Sequence, residues 1–502
     1  MNRIVLLVLS AILLILSFPN FNLEFLAWIA MVPLFFAVEG QKPFKAFLSS
    51  YLTGFLFFLG TVYWLIHVTL PGMIVVVSYL ALYFGFFGLI TASRTSNKDF
   101  LIFAPAAWVA LELARAHFLT GFGWALLGHS QSYTPVIIQI ADITGAYGVS
   151  FLVVLVNAAI FLAIKNFKTK DLAVVYIMIA SFFVFISLSY GIYRLNNIFT
   201  GNKLRVAIIQ GNIPQARKWS PNYREEILNK YEALTNEAAE KKVDLIIWPE
   251  TSVPGFLETE HDLLERVEAL AVKTDTPVLV GAPREDAGSK DAYYNSAILF
   301  SKKGVILGRY DKIHLVPFGE YVPFRRLLSF VENFAPSPIG DFAAGKDYTI
   351  LKFFIERNAR ESGYALRMLK NVRFSGLICF EDIFPGLARE FVKRGALFLV
   401  NMTNDAWFSN TAAPYQHAQA SVFRAVENRV NVVRATNTGL SCFIDQKGHI
   451  TDPVEKEGKN LFVDGFSIHE ITLTPVKTFY TVYGDLFAYI CVFTVILLVI
   501  IA

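Results

Sequence analysis

Three residues in the polar stretch of this chain have the types and the order to carry out acyl chemistry. Cys379 ends the apolar run Gly376-Leu-Ile-Cys379 and leads into Phe380-Glu381-Asp382. Upstream, Asp244-Leu-Ile-Ile-Trp-Pro-Glu250 ends on a carboxylate, and Lys312-Ile-His-Leu-Val-Pro-Phe-Gly-Glu320 lies between the two. A thiolate attacks an acyl carbonyl far better than a thiol, and a neighbouring base or cation makes it available. In this set Glu250 is the candidate base, taking the Cys379 proton and returning one to the leaving group. Lys312 is the candidate stabiliser of the oxyanion, with the peptide N–H of Phe380 as a second donor. A thioester on Cys379 would split one difficult transfer into two easier ones. Glu320 and Glu381 stand where they would orient Lys312 or relay protons.

Taken singly these residues say little. A lone cysteine at a strand end usually packs in a core, and a lysine before His-Leu usually faces water. His314 leaves two readings open, a Cys–His dyad or a packed histidine. The weight comes from three signals falling in order inside one region.

That region must supply strands to carry them. Residues 201–480 alternate apolar strand-like runs with amphipathic helical ones. The expected strands are 204–210, 243–248, 276–282, 295–301, 373–379, 396–402, 432–435 and 442–445, and the expected helices 223–241, 263–273, 385–394 and 416–431. Fully apolar strands between helices predict an α/β fold with strands covered on both faces. Glu250 and Cys379 directly follow such strands, as does Asn404-Asp-Ala-Trp-Phe408, and strand carboxyl ends are where α/β proteins collect chemistry.

The rest of the chain is of another kind. Only 17% of the 502 residues are charged, against about 25% in soluble domains, and the deficit falls on 1–200 and the C-terminal end. A bilayer core of about 30 Å takes roughly 20 apolar residues per helix. Eight runs approach that length, at 4–18, 22–38, 46–67, 72–92, 100–117, 147–164, 172–193 and 486–502. The expected division is therefore 1–200 with seven membrane helices, 201–480 as a polar domain, and 481–502 with the eighth helix. Lys and Arg cluster before the first run and after the second, fourth and sixth. The positive-inside rule then puts both termini in the cytoplasm and 201–480 on the far side. The first run could instead be a signal peptide, but Ser-Phe-Pro-Asn-Phe-Asn offers no small-residue cleavage site.

Glu112 and Arg115 share a helix face inside the fifth run, either as an ion pair locking the bundle or as a lipid-headgroup contact. Thr120-Gly-Phe-Gly-Trp124 reads as an interfacial turn with an aromatic anchor. The net charge of +4 gives no reason to expect nucleic-acid binding. Cys379, Cys442 and Cys491 have no paired spacing and suggest neither a zinc site nor a disulfide framework. Cys442 and Cys491 read as packing.

These motifs resemble a known family. Pro249-Glu250, Lys312 with Pro317-Phe-Gly-Glu320, and Cys379-Phe-Glu381 are similar to the Glu-Lys-Cys signature of the nitrilase, or carbon–nitrogen hydrolase, superfamily. Gln210-Gly-Asn-Ile-Pro-Gln215 with Lys218-Trp219, His314-Leu-Val-Pro-Phe-Gly-Glu-Tyr-Val-Pro323, Asn404-Asp-Ala-Trp-Phe408, Thr120-Gly-Phe-Gly-Trp124 and Gly128-His-Ser-Gln131 further resemble the apolipoprotein N-acyltransferase family. That family usually has Pro at the place of Gly123 and Tyr at that of His129. The resemblance implies a four-layer α-β-β-α sandwich beside eight membrane helices. It implies Glu250 as base, Lys312 as oxyanion stabiliser and Cys379 as nucleophile, with no metal or cofactor. The implied donor is a membrane phospholipid, typically phosphatidylethanolamine. The implied acceptor is the α-amino group of the N-terminal diacylglyceryl-cysteine of an apolipoprotein, at the periplasmic face of a bacterial inner membrane. Nothing demands more than a monomer.

Two lipid substrates need an apolar entrance. The stretch 318–342 is rich in Phe, Leu, Val and Pro yet carries Arg325 and Arg326, which suggests an arm touching acyl chains and phosphates, or an ordinary amphipathic loop. Trp219 and Trp407 line the acyl channel or pack in the core. Three other functions stay open: a membrane-anchored amidase releasing acyl groups to water, a transporter with a degenerate outer domain, and an acyltransferase serving another amine or a sugar.

Overall fold

Apolar helices and apolar strands separate in the computed structural model as they do in the sequence. It describes residues 2–95, 99–286, 289–322, 342–361 and 364–501. Of the expected arm over 318–342, residues 323–341, with Arg325 and Arg326, lie outside the described residues. The chain forms two compact units, one of Met1–Asn197, Thr411–Glu427 and Thr478–Ala502, the other of Ile198–Asn410 and Asn428–Lys477. Thr411–Glu427 lies inside the stretch expected to be the polar domain, yet it clusters with the helices.

In the helical unit, among the described residues, five helices are long and apolar enough to cross a membrane: Pro43–Thr61, Leu70–Arg94, Phe100–Thr120, Ala146–Lys165 and Lys170–Asn196. Four shorter apolar helices accompany them, Arg3–Leu16, Glu24–Val38, Pro135–Thr144 and Leu486–Ile501. Three of the eight expected runs are thus shorter than a spanning helix. The second run divides into a 3-10 turn at Glu24–Trp28 and an α-helix at Val32–Val38, because Pro33 can start a helix but cannot continue one. Small residues let helices approach: a Cβ at Gly88 would lie 2.1 Å from Ser50 Oγ and 2.5 Å from the Ala46 carbonyl, a small-residue contact typical of helix pairs in lipid.

Glu112 and Arg115 make no direct ion pair with each other. Glu112 Oε1 accepts from Leu127 N at 2.7 Å, and Arg115 donates to the carbonyls of Trp124 at 2.8 Å and Ala125 at 3.2 Å. Both charges therefore hold the 124–127 backbone in place. Trp124 is buried, not an interfacial anchor. Its Nε1 donates to Gln416 Oε1 at 2.9 Å, and Trp64 Nε1 donates to the same oxygen at 3.0 Å. Gln416 Nε2 donates to Thr61 O at 2.9 Å.

Among the described residues the α/β unit holds twelve strands: β1 (Asn202–Gln210), β2 (Leu245–Ile247), β3 (Val278–Asp286), β4 (Ser289–Phe300), β5 (Ile306–Asp311), β6 (Leu351–Glu361), β7 (Tyr364–Ile378), β8 (Phe398–Thr403), β9 (Asn431–Thr436), β10 (Cys442–Ile444), β11 (Ile450–Thr451) and β12 (Gly465–Leu473). They form two six-stranded sheets, ordered β12-β1-β2-β3-β4-β5 and β11-β10-β9-β8-β7-β6. Each sheet has a parallel centre, β1-β2-β3 and β7-β8-β9, flanked by antiparallel pairs. The parallel strands are the apolar runs read from sequence, and their side chains are almost wholly buried. Helices Arg224–Ala239 and His261–Thr274 cover one face of the first sheet through Leu228, Tyr231, Leu263 and Val267 against Ile246, Trp248 and Val280.

Strands β5, β6, β11 and β12 were not expected. Their faces alternate or stay half exposed; Leu351, Phe353 and Ile355 point inward while Lys352 and Phe354 face out. Such edge strands lack a continuous apolar run.

Candidate active site

Glu250 follows β2 after Trp248-Pro249. Trp248 is wholly buried and its Nε1 donates to Thr235 Oγ1 at 2.8 Å, so the strand end is fixed from below. Gly281 on β3 lets the Glu250 backbone lie against it: a Cβ there would stand 2.3 Å from Pro249 O and 2.8 Å from Glu250 Cα. Lys312 follows β5. Its N–H donates to Asn295 O and its carbonyl accepts from Gly345 N, both at 2.8 Å.

The side chains of these segments converge. Lys312 Nζ lies 3.4 Å from Glu250 Oε1, 3.0 Å from Glu320 Oε1 and 2.9 Å from Glu320 Oε2. Asn295 Nδ2 donates to Glu250 Oε1 at 2.8 Å and to Glu320 Oε1 at 2.9 Å. Glu320 Oε2 also accepts from Val316 N at 2.8 Å. Burial alone would depress the Lys312 ammonium, but Glu320 and Glu250 outweigh it and hold it above the usual lysine range.

Cys379 begins the 3-10 turn Cys379–Ile383 directly after β7. It is half buried and its φ is +53°, a left-handed conformation that costs a non-glycine residue of order 1–3 kcal/mol and clusters at functional sites. Asn401 on β8 secures this turn. Its Nδ2 donates to Cys379 O at 3.0 Å and Leu377 O at 3.2 Å, while its Oδ1 accepts from Arg434 Nη1 at 2.9 Å. Arg434 Nη1 also pairs with Asp382 Oδ2 at 2.8 Å, both side chains wholly buried. Burial first, then the Glu250 carboxylate, push the Cys379 thiol well above its ordinary range, and Lys312 pulls the other way. The three expected residues thus act on one another electrostatically.

Glu381 serves the framework. Its Oε1 accepts from Tyr310 Oη at 2.8 Å, Ile313 N at 2.8 Å and His314 N at 3.0 Å, and its Oε2 from Ile378 N at 2.7 Å. It ties the Lys312 segment to the Cys379 strand through main chain. Burial lifts its carboxyl to about 7. The His314 ring packs 3.6 Å from that of Phe384, centroid to centroid, with Phe380 at 6.2 Å. Trp219 is 51% exposed and Trp407 40%, so neither is a core tryptophan. Cys442 and Cys491 are buried.

Comparison with known proteins places the chain in a family. Residues 10–159 match the model of the apolipoprotein N-acyltransferase N-terminal domain, and 205–476 that of carbon-nitrogen hydrolases. An apolipoprotein N-acyltransferase of Geobacter metallireducens is 41% identical over 97% of this chain and 92% of its own length. The chain belongs to the apolipoprotein N-acyltransferase family. Another member, from Chlorobaculum tepidum, is 30% identical over 96% of this chain and 93% of its own length. Among solved structures, the C. elegans NitFhit protein aligns at 20% identity and a TM-score of 0.39, covering 55% of this chain and 62% of that one. By its family models and relatives the chain is an acyltransferase with apolar membrane helices and a nitrilase-like α/β unit of two sheets.

Sequence reasoning passed over two residues of this site. Asn295 opens an apolar strand and looked like its boundary. Asn401 stands alone in the apolar run Phe398-Leu-Val-Asn-Met402, and a solitary buried amide is a signal, because such a group needs partners.

Proposed function

We propose that this acyltransferase moves a fatty acyl chain from a membrane phospholipid, typically phosphatidylethanolamine, to the α-amino group of the diacylglyceryl-cysteine at an apolipoprotein N-terminus. The observation that carries the reading is Lys312, held between Glu250 and Glu320 and electrostatically coupled to Cys379. Family membership supports the acceptor named here.

The reaction runs in two halves, ping-pong fashion. The high-lying Cys379 thiol rests protonated, so attack needs a base, and Glu250 takes the proton as sulfur adds to the ester carbonyl. The oxyanion forms beside Lys312, which Glu320 and Asn295 keep in place; the N–H of Phe380 is a second donor. Glu250 then protonates the departing lysophospholipid oxygen and a Cys379 thioester remains. In the second half the acceptor amine displaces sulfur, and Cys379 regains its proton. Glu381 and the Asn401–Arg434 pair keep the turn and the Lys312 segment in register. Trp219 and Trp407, both exposed, are suited to line the acyl path, and Arg325 and Arg326 to meet phosphates. No metal or cofactor takes part.

The enzyme works as a monomer in a bacterial inner membrane. Residues 1–200 contribute seven membrane helices and 481–502 the eighth. The 201–480 domain, a four-layer α-β-β-α sandwich, is periplasmic and both termini cytoplasmic; the alternation of Lys and Arg between apolar runs supports this orientation.

The test is intact-protein mass spectrometry of the detergent-purified enzyme after incubation with phospholipid, beside Cys379→Ala. The expected result is a fatty-acyl adduct that requires Cys379, is released by hydroxylamine, and is discharged by a diacylated lipopeptide. Discharge by water alone would make the enzyme a hydrolase instead.

A further inference from the structure

The site contains a second buried lysine with no role in the mechanism above. Lys218 is 3% exposed, at the end of the short helix Gln215–Lys218, and its Nζ donates to the backbone carbonyl of Glu250 at 2.9 Å. The contrast with Lys312 is chemical. Lys312 faces two carboxylates, whereas among the described residues Lys218 forms no ion pair, since the Glu250 and Glu320 carboxylates are turned to Lys312 and Asn295. The titratable groups acting on Lys218 are Glu250 after β2 and Cys379 after β7. On its own helix, Arg217 is turned to Glu226 at 3.5 Å. An ammonium buried against a carbonyl without a carboxylate gives up its proton more readily than one held by two carboxylates: burial brings Lys218 down to about 8, with Glu250 and Cys379 offsetting part of the drop. Two lysines beside one nucleophile are thus driven in opposite directions, and divergent environments assign divergent acid–base duties.

The proton count of the second half-reaction asks for such a group. An acceptor α-amine arrives largely as an ammonium at neutral pH. It must lose one proton to become a nucleophile and a second once the C–N bond has formed. The second returns to Cys379, through Glu250, as the C–S bond breaks. Glu250, a carboxylate again after the first half, can carry one of the two to Cys379, and the Lys312 ammonium offers no place for the other. We propose that Lys218, through the fraction of it that is deprotonated, takes the first proton from the incoming acceptor ammonium and hands it to water after the amide has left. The balance closes: thioester, ammonium and neutral Lys218 give amide, Cys379 thiol and the Lys218 ammonium. This inference rests on the thioester reading above.

The test separates the two halves. Wild type, Lys218→Arg and Lys218→Met are loaded with phospholipid, and the Cys379 adduct is followed by intact mass. Arginine keeps a charge but accepts no proton, and methionine keeps length alone. Each loaded enzyme is then discharged by a diacylated lipopeptide or by hydroxylamine, a nucleophile uncharged at neutral pH that brings no surplus proton. Both variants are expected to form the adduct and to react with hydroxylamine at the wild-type rate, while lipopeptide discharge slows by about 10²-fold, the lower end for a lost acid–base group. Equal slowing with both nucleophiles, or with neither, overturns the proposal. So does loss of the adduct in a variant that still melts cooperatively. No adduct on the wild-type enzyme would sink the thioester reading itself, a distinct outcome. Should Lys218→Arg fail to fold, Lys218→Met carries the same comparison.

Discussion

Glu320 holds the Lys312 ammonium at 2.9 Å, closer than the 3.4 Å that separates Lys312 from Glu250. The cation is therefore anchored chiefly by Glu320, which leaves Glu250 the looser partner. Glu320→Gln removes that anchor's charge and keeps its shape. We expect the rate of Cys379 acylation to fall roughly 10- to 100-fold, below the 10²–10³ of deleting an oxyanion donor outright, with little change in phospholipid KM. Single-turnover adduct formation measures it, and an unchanged rate would remove Glu320 from the machinery.

The Cys379 thiol is raised by burial and by the Glu250 carboxylate and lowered by Lys312. Neutralising the carboxylate in Glu250→Gln removes one raising influence and leaves the lowering one. The pH midpoint for alkylation of Cys379 by iodoacetamide should then move to lower pH, because the thiolate is populated earlier as pH rises. On the proposed mechanism, in which Glu250 is the base, acyl transfer should be lost in the same variant. A midpoint moving upward would contradict the arrangement.

Gly281→Ala would put a methyl 2.3 Å from the Pro249 carbonyl and 2.6 Å from Thr251 N. Both are backbone atoms flanking Glu250, so the strand end must shift. Overpacking of this kind costs about 1–3 kcal/mol, read as a lowered thermal midpoint, and kcat should fall further than that loss explains. Gly386→Ala, where nothing lies within 4 Å of the new methyl, is the control and should leave both unchanged.

In the helical unit, Gln416→Ala takes the acceptor away from the Trp64 and Trp124 indoles and a donor from Thr61 O. Leaving a buried polar group unsatisfied costs about 1–3 kcal/mol each. A clear drop in the thermal midpoint of the detergent-solubilised protein is expected. Gln416→Leu should do no better, because the shape is restored and the hydrogen bonds are not.

The parallel centre of both sheets was legible because its strands, such as β8, are unbroken apolar runs. Glu250, Lys312 and Cys379 stood out as candidates because they sit at or near strand ends in a chemically sensible order. What stayed hidden is relational. Strand β6 alternates faces, and Phe354 on its outer face blurs the alternation. The spacing of Glu112 and Arg115 suggested an ion pair, but each spends its charge on main-chain groups 9 to 15 residues away. The partners of Lys218 and Asn295 are set by tertiary contacts that no local pattern encodes.

Gln416 meets Trp64 across 352 residues of sequence and Trp124 across 292. A ribosome delivers the early helices to the bilayer long before it makes the segment that satisfies them. Until residue 427 has been translated and moved to its place, the helical unit is a lodging with a berth kept open. The catalytic half is therefore not a detachable cargo: excising 201–480 would take the Thr411–Glu427 segment away from its packing partners and strip the helices of theirs. Biogenesis of the two halves is interleaved, and assembly of the anchor is completed only by a stretch of the enzyme it anchors.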